Sequence, residues 1–90
     1  MEYRILGAMK KYKGIRPARF HMPGHQANRK IFSLFRDAAL DITELSFSDC
    51  LEDPDGVIAV AEREIAEILG ARRSFIVTDG SSCAVLSMLF

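Results

Sequence analysis

Ser74-Phe75-Ile76-Val77-Thr78-Asp79-Gly80-Ser81-Ser82-Cys83, continuing through Ala84, Val85, Leu86, Met88 and Leu89 to Phe90, is the stretch that decides the fold. Phe75-Ile76-Val77-Thr78 is a short aromatic and β-branched run, the composition of a buried strand. Asp79-Gly80 breaks it. Ser81 or Ser82 is then placed to cap a new helix that carries the apolar residues to the end of the sequence. Strand, glycine turn and helix start together predict an α/β protein. They also bring free N–H groups and the positive end of a helix dipole to one spot, where an anion is favoured. The plainer reading of the same turn is an ordinary serine-capped helix, and local pattern alone favours it, because such caps are common.

Upstream of this stretch, residues 57–69 carry the clearest helical period. Val57, Ala61, Ile65, Ile68 and Leu69 fall on one face, and Glu62, Arg63, Glu64 and Glu67 fall largely on the other. Asp53 or Asp55 is expected to cap its start and Gly70 to close it. Residues 2–12 form a weaker amphipathic helix, with lysines at its C-terminal end and Gly14 as the expected stop. A Pro- and Gly-punctuated loop follows over residues 15–29. Residues 30–39 read as a short helix, residues 40–45 as an edge strand or extended loop, and residues 46–56 as an acidic turn region.

Close to half of the 90 residues are apolar, and 12 basic residues balance 12 acidic ones. This is globular composition, with no electrostatic basis for binding nucleic acid or an anionic membrane. No run approaches the ~20 apolar residues of a membrane span, and Lys10, Lys11 and Lys13 interrupt any signal-peptide pattern. A cytoplasmic location is expected, with Cys50 and Cys83 as free thiols. One short strand makes no sheet, and Phe90 falls inside an apolar helical pattern. The chain is therefore expected to be the N-terminal piece of a larger α/β protein rather than a complete small domain.

Three clusters have chemical potential. The turn Thr78-Asp79-Gly80-Ser81-Ser82 offers amides and hydroxyls to a phosphate, although the Asp79 carboxylate must point away from it. His21 and His25 are four apart, but Pro23-Gly24 between them excludes an ordinary helix. Without paired-Cys spacing, a zinc site with Cys50 or Cys83 is disfavoured. The two histidines either hydrogen-bond backbone and hold an irregular loop together, or one of them contacts a substrate or cofactor from a neighbouring domain or subunit. The acidic stretch over residues 49–55 reads as a solvated loop and helix N-terminus.

Phe20-His21-Met22-Pro23-Gly24-His25, Asp41-Ile42-Thr43-Glu44, Asp53-Pro54-Asp55-Gly56-Val57-Ile58, Leu69-Gly70-Ala71 and Gly80-Ser81-Ser82 occur in this order. In order and spacing the set resembles the Orn/Lys/Arg decarboxylases over nearly the whole chain. The resemblance implies a pyridoxal 5'-phosphate enzyme of the aspartate-aminotransferase fold (fold type I). It would be a carbon–carbon lyase acting on lysine, arginine or ornithine, and a homodimer or higher homo-oligomer. Residues 1–52 would be the N-terminal arm and linker. Residues 53–90 would begin the large domain, with the strand from Phe75 in its mostly parallel sheet. Gly80, Ser81 and Ser82 would bind the cofactor phosphate. No catalytic residue and no metal ligand is assigned in this chain, because the family's Ser-x-His-Lys motif for the Schiff-base lysine does not occur in it. The sequence departs from the family pattern at Gln26, Cys50 and Asp79. A non-catalytic truncated product that associates with a full-length subunit is the alternative, and an independent phosphate- or metal-binding module is a third.

Overall fold

Among the residues described by the computed structural model there are three α-helices, α1 (Arg4–Ile15), α2 (Val57–Leu69) and α3 (Gly80–Leu89), and a short 3-10 helix at Ala38–Leu40. The structure describes residues 4–28, 30 and 37–90. The helix expected over residues 30–39 falls mostly outside them.

α1 runs past Gly14 to Ile15, beyond the expected stop. Its end is set by Arg16, which turns to φ 51° and donates its N–H to the Lys13 carbonyl at 3.2 Å. Pro17 explains the boundary, because the residue before a proline is disfavoured in the α region.

α2 has the predicted bounds. At its C-terminus Gly70 is left-handed (φ 63°) and donates to the Glu67 carbonyl at 3.2 Å, and Ala71 donates to the Ala66 carbonyl at 2.8 Å. These two bonds are a Schellman closure. Its start differs from expectation, since neither Asp53 nor Asp55 caps it and Asp49 does so from further away.

α1 packs on α2 and on the 3-10 helix. Ala38, Ile58 and Ala66 are the buried apolar residues among those described. The expected apolar stripe of α2 is not the covered one, because Ile65, Ile68 and Leu69 remain 38%, 62% and 71% exposed. Arg4 Nε and Glu64 Oε1 pair across α1 and α2 at 2.9 Å. Both side chains are well exposed, so the pair adds at most about 1 kcal/mol.

Residues 75–77 are extended but unpaired, and there is no β-strand among the described residues. A strand is stabilised by its ladder, and no neighbouring segment supplies one here. The predicted sheet is therefore absent from the described residues, which are helical and extended. α3 packs on no other helix, and Val85, Leu86, Met88, Leu89 and Phe90 are exposed. The radius of gyration is 15.4 Å, against ~12 Å for a compact chain of this length. The accessible surface is 7512 Å², against about 5,300 Å² for a compact monomer of this mass.

Candidate functional site

The turn into α3 is held from α2 by one residue. The segment after α2 alternates, with Ser74 and Ile76 half-buried and Phe75 and Val77 exposed, as an extended chain dictates. Its covered side faces Glu62. The Ile76 N–H donates to Glu62 Oε1 at 2.8 Å, and the Ser74 hydroxyl donates to the Glu62 carbonyl oxygen. Beyond Ile76 the chain turns at two successive positive φ values, 63° at Asp79 and 76° at Gly80. An Asp tolerates the left-handed region better than most residues, and a Gly without penalty.

α3 begins at Gly80, with Asp79 in the capping position and no side chain bonded to its first turn. Ser81 and Ser82 are not caps as expected. They lie inside the first turn, because the two left-handed residues complete the reversal before them. The first amides of a helix have no intrahelical acceptor. The N–H groups of Gly80, Ser81 and Ser82 and the two serine hydroxyls therefore form an exposed donor set at the positive end of a ten-residue helix. Asp79 makes no capping bond to these amides, and a Cβ built on Gly80 meets nothing within 4 Å. An open cleft of about 1380 Å³ runs beside the turn between α2 and α3, with Ala66, Phe75, Cys83, Ala84 and Met88 on its walls.

The histidine loop is a separate structure built around Tyr12 of α1. The Tyr12 hydroxyl meets His21 Nε2 at 2.6 Å, and His21 Nδ1 bonds the Met22 carbonyl. A carbonyl only accepts, so His21 Nδ1 carries the proton, and in the neutral ring Nε2 accepts from the tyrosine. The Tyr12 ring also stacks on Phe47 with centroids 4.8 Å apart, and the Arg19 guanidinium lies 5.0 Å from its centroid. Arg19 donates to the Ala39 and Asp41 carbonyls at 2.6 and 3.3 Å.

His25 Nδ1 accepts the Ala27 N–H at 3.0 Å, and His25 Nε2 lies 2.9 Å from Asp41 Oδ2. A backbone N–H only donates, so the ring proton is on Nε2 and points at the Asp41 carboxylate. The Met22–Pro23 bond is cis. The histidines thus tie the loop to α1, to its own backbone and to Asp41. Among the described residues no group of three or more His, Cys, Asp and Glu side chains could hold a metal ion. Cys50 Sγ donates instead to Glu44 Oε1 at 3.2 Å.

Asp49 is the residue that local reasoning missed. Its Oδ2 accepts the N–H groups of Gly56, Ile58 and Ala59 at 2.8, 2.9 and 3.3 Å, and its Oδ1 accepts those of Cys50 and Asp55 at 2.8 and 3.0 Å. One carboxylate thereby satisfies the start of α2 and closes the acidic loop. Burial acts to raise the pKa of this carboxyl. The N–H groups of Asp55, Cys50, Gly56 and Ile58 outweigh it and hold the group far below its ordinary value of 3.8. The only signal in the sequence was Gly56, where a Cβ would stand 3.3 Å from Asp49 Cγ.

The family model described as Orn/Lys/Arg decarboxylase, major domain, matches residues 5–90. The chain belongs to the Orn/Lys/Arg decarboxylase family. Among curated proteins, this decarboxylase-family chain is 30% identical to an arginine decarboxylase of Bacillus subtilis (strain 168) over 98% of its own length and 19% of that protein's. It is 30% identical to an arginine decarboxylase of Halalkalibacterium halodurans over 81% of its length and 16% of that protein's. It is also 35% identical to the uncharacterized protein YaaO of B. subtilis (strain 168) over 78% of its length and 16% of that protein's. The chain thus spans about a fifth or less of the relatives it matches. No solved structure matches it. No helix among the described residues is long and apolar enough to cross a membrane.

Proposed function

We propose that this chain is the N-terminal part of a pyridoxal-phosphate-dependent decarboxylase of a basic amino acid, with Gly80, Ser81 and Ser82 holding the cofactor phosphate. Arginine is the first substrate to test, since several of the relatives are named for it. The observation that carries the reading is the uncapped first turn of α3, entered through two left-handed residues, Asp79 and Gly80. The donor set fits a phosphate dianion, because N–H and O–H groups all donate and the helix dipole adds to them.

The proposed division of labour follows from the residues at hand. Bound pyridoxal phosphate supplies the electron sink for loss of the α-carboxylate. Gly80, Ser81 and Ser82 anchor and orient its phosphate. The Schiff-base lysine would come from elsewhere in the protein, because no lysine of this sequence stands in a Ser-x-His-Lys motif. Residues 53–90 begin the large domain, and the exposed apolar faces of α2 and α3 lie on its sheet. Residues 1–52 serve as an arm and linker, whose Tyr12-centred loop would border a partner subunit of a homodimer or larger homo-oligomer.

The test is cofactor affinity of the full-length enzyme carrying Ser81→Ala and Ser82→Ala. Hydrogen bonds to a charged group contribute about 1.5–3 kcal/mol each, so affinity for pyridoxal phosphate falls at least tenfold while that for pyridoxal, which lacks the phosphate, is unchanged. Equal affinity of the variant and the parent for pyridoxal phosphate overturns the assignment. A second reading is a non-catalytic product that docks on an intact subunit, and it draws on the same exposed α3 face. Co-purification of this chain with an intact decarboxylase supports it, and its recovery as a folded monomer in the presence of that decarboxylase removes it.

A further inference from the structure

We infer that Glu62 of α2 is a positioning residue for the phosphate turn, a role that rests on the assignment of Gly80, Ser81 and Ser82 above. The Glu62 backbone carbonyl accepts the Ser74 hydroxyl, and its side-chain Oε1 accepts the Ile76 N–H at 2.8 Å. The two acceptors are on one residue and the two donors are two positions apart on an extended chain, so they grip the same side of the segment. Ile76 is four residues before Gly80, a span of at most ~14 Å when extended. The stretch from Ile76 ends in the two left-handed residues, Asp79 and Gly80, that aim the first turn of α3.

A carboxylate is an unusual partner for a single backbone N–H in an extended segment, where a neighbouring strand normally accepts it. It gives this N–H a charge-assisted bond and fixes the segment's height along α2. Glu62 itself lies outside the donor set. Its effect on an anion must therefore pass through the position of the Gly80, Ser81 and Ser82 amides.

The experiment uses full-length apoenzyme and compares Glu62→Ala, Glu62→Gln, Ser74→Ala and the Ser81→Ala/Ser82→Ala pair. Glu62→Ala should bind pyridoxal phosphate roughly tenfold more weakly, the loss of about one charge-assisted bond. Binding of pyridoxal should be unchanged, and hydrogen exchange at the Ile76 amide should be faster. Glu62→Gln keeps an acceptor oxygen and should restore both readouts to within a few-fold of the parent. Ser74→Ala removes the other bond of the grip without touching Glu62, and should produce a smaller loss in the same direction. It gives the decision if Glu62→Ala does not fold.

Equal losses for pyridoxal and pyridoxal phosphate in Glu62→Ala would make the residue a general structural one and overturn the inference. So would unchanged pyridoxal phosphate affinity in Glu62→Ala, or in Ser74→Ala where that variant decides. If the serine pair still weakens cofactor binding in that case, the phosphate assignment survives and only the role of Glu62 is lost. If the serine pair has no effect either, both fall.

Discussion

Asp49 Oδ2 accepts the N–H of Ile58 at 2.9 Å, nine residues along the chain, and so acts as the N-cap of a helix whose own capping position is a glycine. The bond reaches the same amide that a local Ser, Thr or Asp would take. Its donor-rich surroundings make Asp49 the most strongly perturbed carboxyl described.

Replacing Asp49 should loosen α2 from its N-terminus. In Asp49→Ala, hydrogen exchange at the Gly56, Ile58 and Ala59 amides should rise together, and exchange near Gly70 should not change. Asp49→Asn keeps one acceptor oxygen and should fall between. Exchange rates measured by mass spectrometry on the full-length protein decide it, and unchanged rates at all three amides would remove the capping role.

The same carboxylate has a pH signature. Its folded-state pKa lies below the ordinary 3.8, so the unfolded chain binds its proton first as pH falls. The stability it contributes is fully present above that ordinary value. It declines as pH drops below about 4, and is gone once pH passes under the folded-state value. Denaturant midpoints from pH 6 to pH 3 should therefore fall more steeply for the parent than for Asp49→Asn. Parallel curves would contradict the shift.

Gly56→Ala should mimic the loss of Asp49. Its new Cβ would lie 3.3 Å from Asp49 Cγ and 3.4 Å from Oδ2, which pushes the carboxylate off its donors. In an Asp49→Ala background the same substitution should cost much less. A double-mutant cycle on thermal stability measures this coupling, and additive losses would mean the two positions act independently.

Ala27 sits at φ 57° beside Gln26 at φ 54°, in a turn closed by the Asn28 N–H to the His25 carbonyl at 3.0 Å. A left-handed residue with a Cβ costs roughly 1–2 kcal/mol. Ala27→Gly should therefore raise stability by about 1 kcal/mol, seen as a higher Tm. Gly24→Ala is a useful contrast, since that position shows no such positive φ.

Tyr12→Phe removes the hydroxyl from His21 and keeps the stack on Phe47. The expected loss is about 0.5–1.5 kcal/mol, the net worth of one hydrogen bond. Tyr12→Ala should cost clearly more, because the contacts with Phe47 and Arg19 go as well. Equal losses in denaturant unfolding would assign the whole effect to the hydroxyl.

The sequence alone determined the features that depend on neighbours along the chain. α2 and its closure at Gly70, the break at Asp79-Gly80, the helix after it and the family motifs all rest on period, glycine position and short-range order. The helix period needs only the pattern of Val57 to Leu69 to be visible. Contacts between distant residues were decided only by the tertiary structure. Asp49 caps α2 across a loop, Glu62 grips Ile76 from another element, and His25 pairs with Asp41 sixteen residues away. A hydrogen-bond donor carries no record in sequence of which acceptor will reach it, because that depends on how two elements are brought side by side. The run Phe75-Ile76-Val77 shows the same division, with strand composition local to the sequence and strand formation dependent on a ladder that no neighbouring described segment supplies.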